Sequence, residues 1–148
     1  MALQSAFIAD QKTGCKVWNP NPKTVETIIW SGPCVNGFAE GTGRLQWLQN
    51  GQTYETDEGE WKVGRQVGRG AQIWPLGRYD GDISNSMPNG FGILTLKGAR
   101  YDGEFRNGKP NGQGSLTSQR GVFKGKWKDG CLLGNQKVSV GVPLSACL

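Results

Sequence analysis

The sequence contains no histidine, and this absence excludes much of the common chemistry of enzyme sites. Neither a Ser–His–Asp triad nor a Cys–His pair can be assembled without an imidazole base. The four cysteines include no CxxC pair, so they do not offer a ligand set typical of zinc. Acids occur at alternate positions, as in Glu58/Glu60 and Asp80/Asp82, which is typical of a solvated strand face. We therefore expect no catalytic residues, no metal site, no cofactor and no enzyme activity.

Long hydrophobic runs are also missing from the sequence. No stretch approaches the roughly 18–20 apolar residues of a membrane-spanning helix, and the first residues lack the basic and apolar segments of a signal peptide. The expectation is a soluble protein, and the earlier removal of a leader stays open. Leu, Ile, Val and Phe are sparse, but six tryptophans offset part of that deficit because each ring buries a large area.

Glycine is abundant, at 24 of 148 residues, and it recurs in a fixed register. YDGEFRNGKPNGQG (101–114) follows YDGDISNSMPNGFG (79–92), with DEGEWKVGRQVGRG (57–70) before and FKGKWKDGCLLGNQ (123–136) after. A fainter copy is WSGPCVNGFAEGTG (30–43). The anchoring glycines, the last four of which are evenly spaced, are Gly32, Gly59, Gly81, Gly103 and Gly125. A constant period of about this length predicts stacked supersecondary units.

The order of residues within each copy predicts a β-hairpin. In a strand, alternate residues share one face, so Tyr101, Gly103 and Phe105 point the same way. A large ring can lie over a glycine because glycine has no Cβ, and contact area is gained there. Asn-Gly pairs at 36–37, 89–90, 107–108 and 111–112, and Asp-Gly at 129–130, fit turn positions with positive φ.

The pattern resembles the MORN repeat, whose core reads approximately YxGxWxxGxxxGxG. The resemblance covers about residues 25–136, and it is weaker where Asp57, Ile83 and Cys34 replace aromatics and Ser86 replaces a glycine. It implies an all-β fold, with one elongated, twisted antiparallel sheet of about five stacked hairpins and capping segments at both ends. The expected boundaries are 1–24 for an N-terminal cap, 25–136 for the MORN-repeat domain with units starting near 30, 57, 79, 101 and 123, and 137–148 for a C-terminal capping strand and tail.

Two surfaces of such a sheet are candidate binding sites. Ring edges would line a groove for a protein partner, formed by Trp61, Trp74, Tyr79, Tyr101, Phe105, Phe123 and Trp127. The net charge of +5 arises at the C-terminal end, where residues 106–148 carry seven basic residues against Asp129 alone. A patch for an anionic partner is expected at Arg106, Lys124, Lys126 and Lys128, with an ordinary solvated face as the alternative.

MORN repeats in other proteins serve as modules for localisation and assembly. The resemblance therefore implies a non-catalytic scaffold that docks a protein partner of unknown identity on the groove or a sheet edge, in a cell-envelope complex. An uncovered edge would also allow β-augmentation or a homodimer. The alternative is binding to an anionic phospholipid surface through the basic C-terminal repeats. Nucleic-acid binding is the weakest class.

The four cysteines lie near the two ends of the repeat region. Disulfides Cys15–Cys34 and Cys131–Cys147 would each close a loop of about 15–20 residues and add about 3 kcal/mol, whereas four free thiols are the alternative. Disulfides favour an oxidising compartment. The stretch GCKVWNPNP also resembles the lead-in of secreted bacterial MORN-repeat proteins. We expect a periplasmic or secreted location, with a cytoplasmic one as the alternative.

Overall fold

The structure is a computed structural model that describes residues 5–147. Throughout these residues the secondary structure consists of strands and one short 3-10 turn at Leu144–Ala146, with no α-helix. The strands are β1 (Ala6–Ala9), β2 (Lys16–Asn19), β3 (Glu26–Ser31), β4 (Cys34–Val35), β5 (Phe38–Ala39), β6 (Gly41–Gln49), β7 (Gln52–Lys62), β8 (Arg65–Trp74), β9 (Gly77–Ser84), β10 (Met87–Leu96), β11 (Ala99–Arg106), β12 (Lys109–Ser118), β13 (Gly121–Lys128) and β14 (Cys131–Leu132).

Ten strands form one antiparallel sheet in the order β14-β13-β12-β11-β10-β9-β8-β7-β6-β3. The consecutive order confirms the predicted all-β fold of stacked hairpins. The expectation of a single sheet is incomplete, because β1, β2, β5 and β4 form a second sheet in that order. The N-terminal lead-in supplies β1 and β2, whose alternating side chains let one face of this small sheet be buried.

The described residues divide into two compact units. The first comprises residues up to Pro75 together with Ile83–Ser86, and the second comprises Leu76–Asp82 together with residues from Met87 onward. In the first unit, both sheets contribute to one buried core, formed by Cys15, Val17, Ile28, Trp30, Ala39, Leu45, Trp47 and Trp61. Trp30 and Trp61 meet edge to face, with ring centroids 4.7 Å apart.

The core of the second unit consists largely of aromatic rings. Tyr79 and Phe105 have centroids 4.9 Å apart, Tyr101 and Phe105 are 5.1 Å apart, and Tyr101 and Trp127 are 5.2 Å apart. All three contacts are edge to face, the arrangement that aromatic quadrupoles favour. These rings supply the buried area that the sparse aliphatic residues do not.

The tyrosines of this core lie against glycine backbone. A Cβ added at Gly114 would lie 2.1 Å from Tyr101 Oη, and one added at Gly92 would lie 2.3 Å from Tyr79 Oη. The Tyr101 hydroxyl donates a hydrogen bond to the carbonyl of Glu104 at 3.0 Å. The predicted packing of rings on bare backbone is therefore confirmed.

Turn positions are confirmed only in part. Asn36-Gly37, Asn107-Gly108 and Asp129-Gly130 connect strands, and both residues of each pair have positive φ. The turns predicted at 89–90 and 111–112 are wrong, because these pairs lie inside β10 and β12, but Gly90 and Gly112 do have positive φ.

The glycines of those two pairs make room for carboxylates. Strand β11 shifts register against β12 between Gly103 and Phe105, and in this irregular stretch the carboxylate of Glu104 accepts the backbone N–H of Gln113. A Cβ at Gly112 would lie 2.4 Å from a carboxylate oxygen of Glu104. Glycine is needed there because the acid occupies the space of a side chain.

Disulfides join the cysteines near both ends. Cys15 pairs with Cys34 and Cys131 with Cys147, at Cα–Cα distances of 5.9 and 5.5 Å, which confirms the predicted pairing. After β14 the chain folds back, and the backbone N–H of Val140 donates to the carbonyl of Gly130 at 2.8 Å. The segment predicted as a closing strand makes one β-bridge, Cys131–Ser139, and no regular strand.

Candidate partner-binding surfaces

Most of the predicted aromatic groove is interior. The structure buries five of its seven rings, namely Trp61, Tyr79, Tyr101, Phe105 and Trp127, the last with no exposed surface. Their edges are covered because glycines let the rings sink onto the backbone and neighbouring rings close over them. Trp74 and Phe123 are half-buried and keep an accessible surface. A partner-binding role for the groove stays a prediction, and only these two rings offer direct contact.

Basic residues line the outer face of β13. Lys124, Lys126 and Lys128, here called the basic row, are all exposed. The row faces away from the core because it alternates with the buried Trp127. None of its ammonium groups has an ion pair within the described part of the chain.

The register partners of the basic row on β12 are neutral. Ser115 is the register partner of Lys124, and Gln113 is the partner of Lys126. The nearest acid along the chain, Asp129, accepts a hydrogen bond at 3.1 Å from the side-chain amide of Asn111. Asp129 is thus the one acid next to the row along the chain, and three cations stand against it.

Arg106, the fourth residue of the predicted anionic patch, is exposed at the end of β11 opposite Lys109. Strand β12 separates β11 from β13. Arg106 and Lys109 therefore form a second pair of cations on the second unit, and the basic row is the regular part of the patch.

Elsewhere some acids on the surface pair with arginines. Arg78 binds Asp80 through two nitrogens at 2.7 Å, and these hydrogen bonds lower the pKa of Asp80 against an opposing effect of burial. Arg100 lies 3.5 Å from Asp102. The solvated-face interpretation fits these pairs, whereas the unpaired basic row departs from it.

The end strand β3 is protected by a buried carboxylate. Asp10, 5% exposed, accepts the backbone N–H groups of Trp30 at 2.9 Å, Lys12 at 2.8 Å and Thr13 at 3.3 Å. Burial opposes ionisation, but these bonds and the charge of Lys12 outweigh it and lower the pKa of Asp10. An added strand would have to compete for the N–H of Trp30. Edge pairing and a homodimer stay predictions.

The sequence-based expectations missed an aromatic cluster on the small sheet. Phe7 meets Trp18 and Phe38 edge to face at 5.1 Å each. The guanidinium of Arg65 lies 4.3 Å from the Trp18 ring centroid, and the ammonium of Lys16 lies 4.5 Å from that of Phe38. Most of this cluster lies outside the clear repeats, so periodicity held no signal for it. The cations cover the rings, and we assign the cluster a stabilising role.

A buried polar group in the first unit was also missed. Asp57, Gln66 and Gln72 lie in the interior, at positions that the next repeat fills with Tyr79, Pro88 and Leu94. The sequence did carry a signal for this buried group, because polar residues stand at positions where the next repeat has aromatic or apolar ones. Gln72 Nε2 donates to Gln66 Oε1 at 3.1 Å, which satisfies part of the group.

An open depression of about 610 Å³ lies beside the turn between β6 and β7. It is lined by Gln49, Asn50, Gln52, Thr53, Tyr54 and Pro75. The Tyr54 hydroxyl donates to the carboxylate of Glu26, and burial together with this acid raises the pKa of Tyr54. The lining brings no nucleophile and base together.

Residues 5–147 show neither a metal-binding cluster nor a membrane-spanning helix. No group of three or more acids or cysteines there is arranged to hold a metal ion. Over the same residues, no helix has the length and apolar character needed to cross a membrane.

These features define a β-repeat protein whose hairpins recur at a constant interval along the chain. The MORN repeat family model matches residues 58–75, 79–97 and 101–122, so the chain carries three consecutive MORN-repeat matches. A comparison with curated proteins gave no match. MORN repeats are in general non-catalytic and are associated with scaffolds that bind proteins or membranes.

Proposed function

We propose that this chain is a non-catalytic scaffold that binds an acidic protein segment on the basic row, Lys124, Lys126 and Lys128. One observation carries the proposal: three exposed ammonium groups stand on one strand face without an ion pair to any residue in 5–147, whereas surface acids such as Asp80 and Asp102 have arginine partners. The three MORN-repeat matches support a scaffold over an enzyme.

The spacing of the row favours an extended partner. Alternate residues on a strand lie about 6.6 Å apart, so the side chains of the basic row leave the backbone at about that interval. An extended peptide with Asp or Glu at alternate positions presents carboxylates at the same interval. Ser115 and Gln113 lie beside the row and offer hydrogen bonds to such a chain.

An anionic lipid surface fits this patch less well. A basic residue near an anionic membrane contributes about 1 kcal/mol, so the basic row with Arg106 would contribute about 4 kcal/mol. This attraction depends on the number of charges and not on their spacing, so the regular spacing of the row favours an extended peptide over a lipid surface.

The disulfides support a location in an oxidising compartment, the bacterial periplasm or the cell exterior. There the scaffold would assemble or localise a cell-envelope complex. Trp74 in the first unit and Phe123 in the second are the accessible remainder of the predicted groove, and each by itself is a candidate for a second contact with the partner. Phe123 alternates with Lys124 and therefore lies on the other face of β13.

Labelled peptides test the proposal directly. One peptide alternates Glu with Thr over ten residues, and a second has the same composition with all Glu residues together. We expect the native protein to bind the alternating peptide more tightly in fluorescence anisotropy. Replacing the basic row by Gln should weaken that binding by about tenfold, because each exposed charge pair contributes roughly 0.5 kcal/mol.

The matched control changes the same net charge at Lys12, Lys62 and Lys97, which are exposed outside the row. Equal losses in the two triple variants would show non-specific attraction and overturn the proposal. Vesicles containing phosphatidylserine provide a further arm, and binding to vesicles without binding to either peptide would establish the lipid alternative instead. The variants Phe123→Ala and Trp74→Ala, measured in the same binding assay, test whether the two accessible rings of the predicted groove contribute to binding.

A further inference from the structure

Asp57 occupies a core position that the neighbouring repeats fill with a ring. Tyr79, Tyr101 and Phe123 stand at the same position in the three repeats that follow. Asp57 is 4% exposed, on the face of β7 that packs into the core of the first unit. A single carboxyl group therefore replaces a large apolar side chain in the interior.

Only one of the two oxygens of this carboxyl group accepts a hydrogen bond from a neutral donor. The indole N–H of Trp47 donates to Asp57 Oδ2 at 2.8 Å, while Oδ1 has no hydrogen-bond donor. Glu55 stands two residues earlier on β7, so its side chain leaves the same face of the strand as that of Asp57, and a hydrogen bond between the two carboxyl groups is one cause of the raised pKa of Asp57. Two carboxylates cannot bond to each other, so this contact requires a proton on one of them.

The other groups around Asp57 do not offset a negative charge. Across the sheet, its register partners are the neutral Leu45 of β6 and Gln72 of β8. Tyr54 and Glu26 bond to each other nearby, and the ammonium of Lys23 lies 4.8 Å from the Tyr54 ring centroid.

Asp10, directly after β1, is a further acid of the first unit. Its carboxylate already accepts hydrogen bonds from three backbone N–H groups. Asp57 itself has no ion pair among the described residues.

We propose that Glu55 and Asp57 share one proton, and that loss of this proton at higher pH weakens the first unit around β6, β7 and β8. In the protonated form the acid pair is hydrogen-bonded within itself and to Trp47. In the ionised form a buried carboxylate faces a second acid without a cation.

The direction of the pH dependence follows from linkage. Burial, followed by the charge of Glu55, raises the pKa of Asp57 well above its ordinary value, against the bond from Trp47. The folded state therefore keeps a proton that the unfolded chain has released. Stability is greatest below the unfolded pKa of about 4, and it falls as pH rises to the folded pKa. Within that window the unfolding equilibrium constant rises up to tenfold per pH unit.

Two measurements test the shared proton. In the native protein, the Trp47 indole N–H resonance should titrate at a pH well above that of an ordinary carboxyl group, because its acceptor is Asp57. Denaturant unfolding between pH 4.5 and 8.5 should show stability falling with pH. Asp57→Asn should remove this pH dependence, and Glu55→Gln should reduce it.

Glu58→Gln is the matched control, since Glu58 is exposed on the same strand, 3.8 Å from Arg44. It should leave the Trp47 titration unchanged. A Trp47 resonance that stays constant from pH 4.5 to 8.5, or a pH dependence that persists in Asp57→Asn, would overturn the proposal. The resonance measurement needs no variant, so the test stands even if Asp57→Asn fails to fold.

Discussion

Replacing Gly114 by Ala should destabilise the protein through the buried ring of Tyr101. The added Cβ would lie 2.1 Å from Tyr101 Oη and 2.3 Å from its Cζ. Ordinary contacts between such atoms are about 3.5 Å, so the ring would have to move by roughly 1.4 Å. Tyr101 is 1% exposed, and Phe105 and Trp127 stand against it at 5.1 and 5.2 Å. The ring therefore has no free space to enter.

The expected cost combines three contributions. Overpacking a core costs about 1–3 kcal/mol, and loss of the Tyr101 hydrogen bond to Glu104 costs about 1 kcal/mol. Removing a glycine from a strand restores about 0.5–1 kcal/mol. We expect Gly114→Ala to lower the free energy of unfolding by about 2–3 kcal/mol, measured by denaturant unfolding with near-ultraviolet circular dichroism.

A double-mutant cycle isolates the contact between the ring and the glycine. Tyr101→Ala alone should cost about 3–5 kcal/mol. In that background Gly114→Ala should be neutral or stabilising by about 0.5–1 kcal/mol, because the obstructing ring is gone. If Gly114→Ala costs the same with and without Tyr101, the two residues are not coupled and the packing argument is refuted.

Two further predictions concern the ends of the chain. Replacing Cys131 and Cys147 together by Ala should lower the free energy of unfolding by about 3 kcal/mol, since the disulfide closes a loop with a sequence separation of 16 residues. The prediction is contradicted if the melting temperature of this variant is unchanged and reductant also leaves that of the native protein unchanged. Asp10→Ala should leave the backbone N–H of Trp30 without its acceptor and cost about 1–3 kcal/mol. Size-exclusion chromatography of that variant shows whether the freed edge pairs with a second copy, and undiminished stability would show that the cap is dispensable.

The local part of this fold could be predicted from the sequence. The repeat interval of the last four units, the hairpins and the packing of rings on glycine follow from spacing, because each involves residues in one repeat or in neighbouring strands. The positions of the cysteines favoured both disulfides and left free thiols as the alternative. The alternation of β13 likewise predicted a face of lysines opposite Phe123 and Trp127. The exposure of Lys124, Lys126 and Lys128 agrees with that alternation, and their role in binding stays a prediction.

Tertiary structure decided what covers each face. Alternation places Tyr101 and Phe105 on one side of a strand, but only the neighbouring rings and bare glycine backbone determine that their edges are closed to a partner. Gly112 lies inside a strand because of the register shift between β11 and β12. This shift depends on where the side chain of Glu104 meets β12. Asp57 shows the same limit: the repeat reveals that it replaces a ring, whereas its burial beside Glu55 and Trp47 depends on how β6, β7 and β8 pack together.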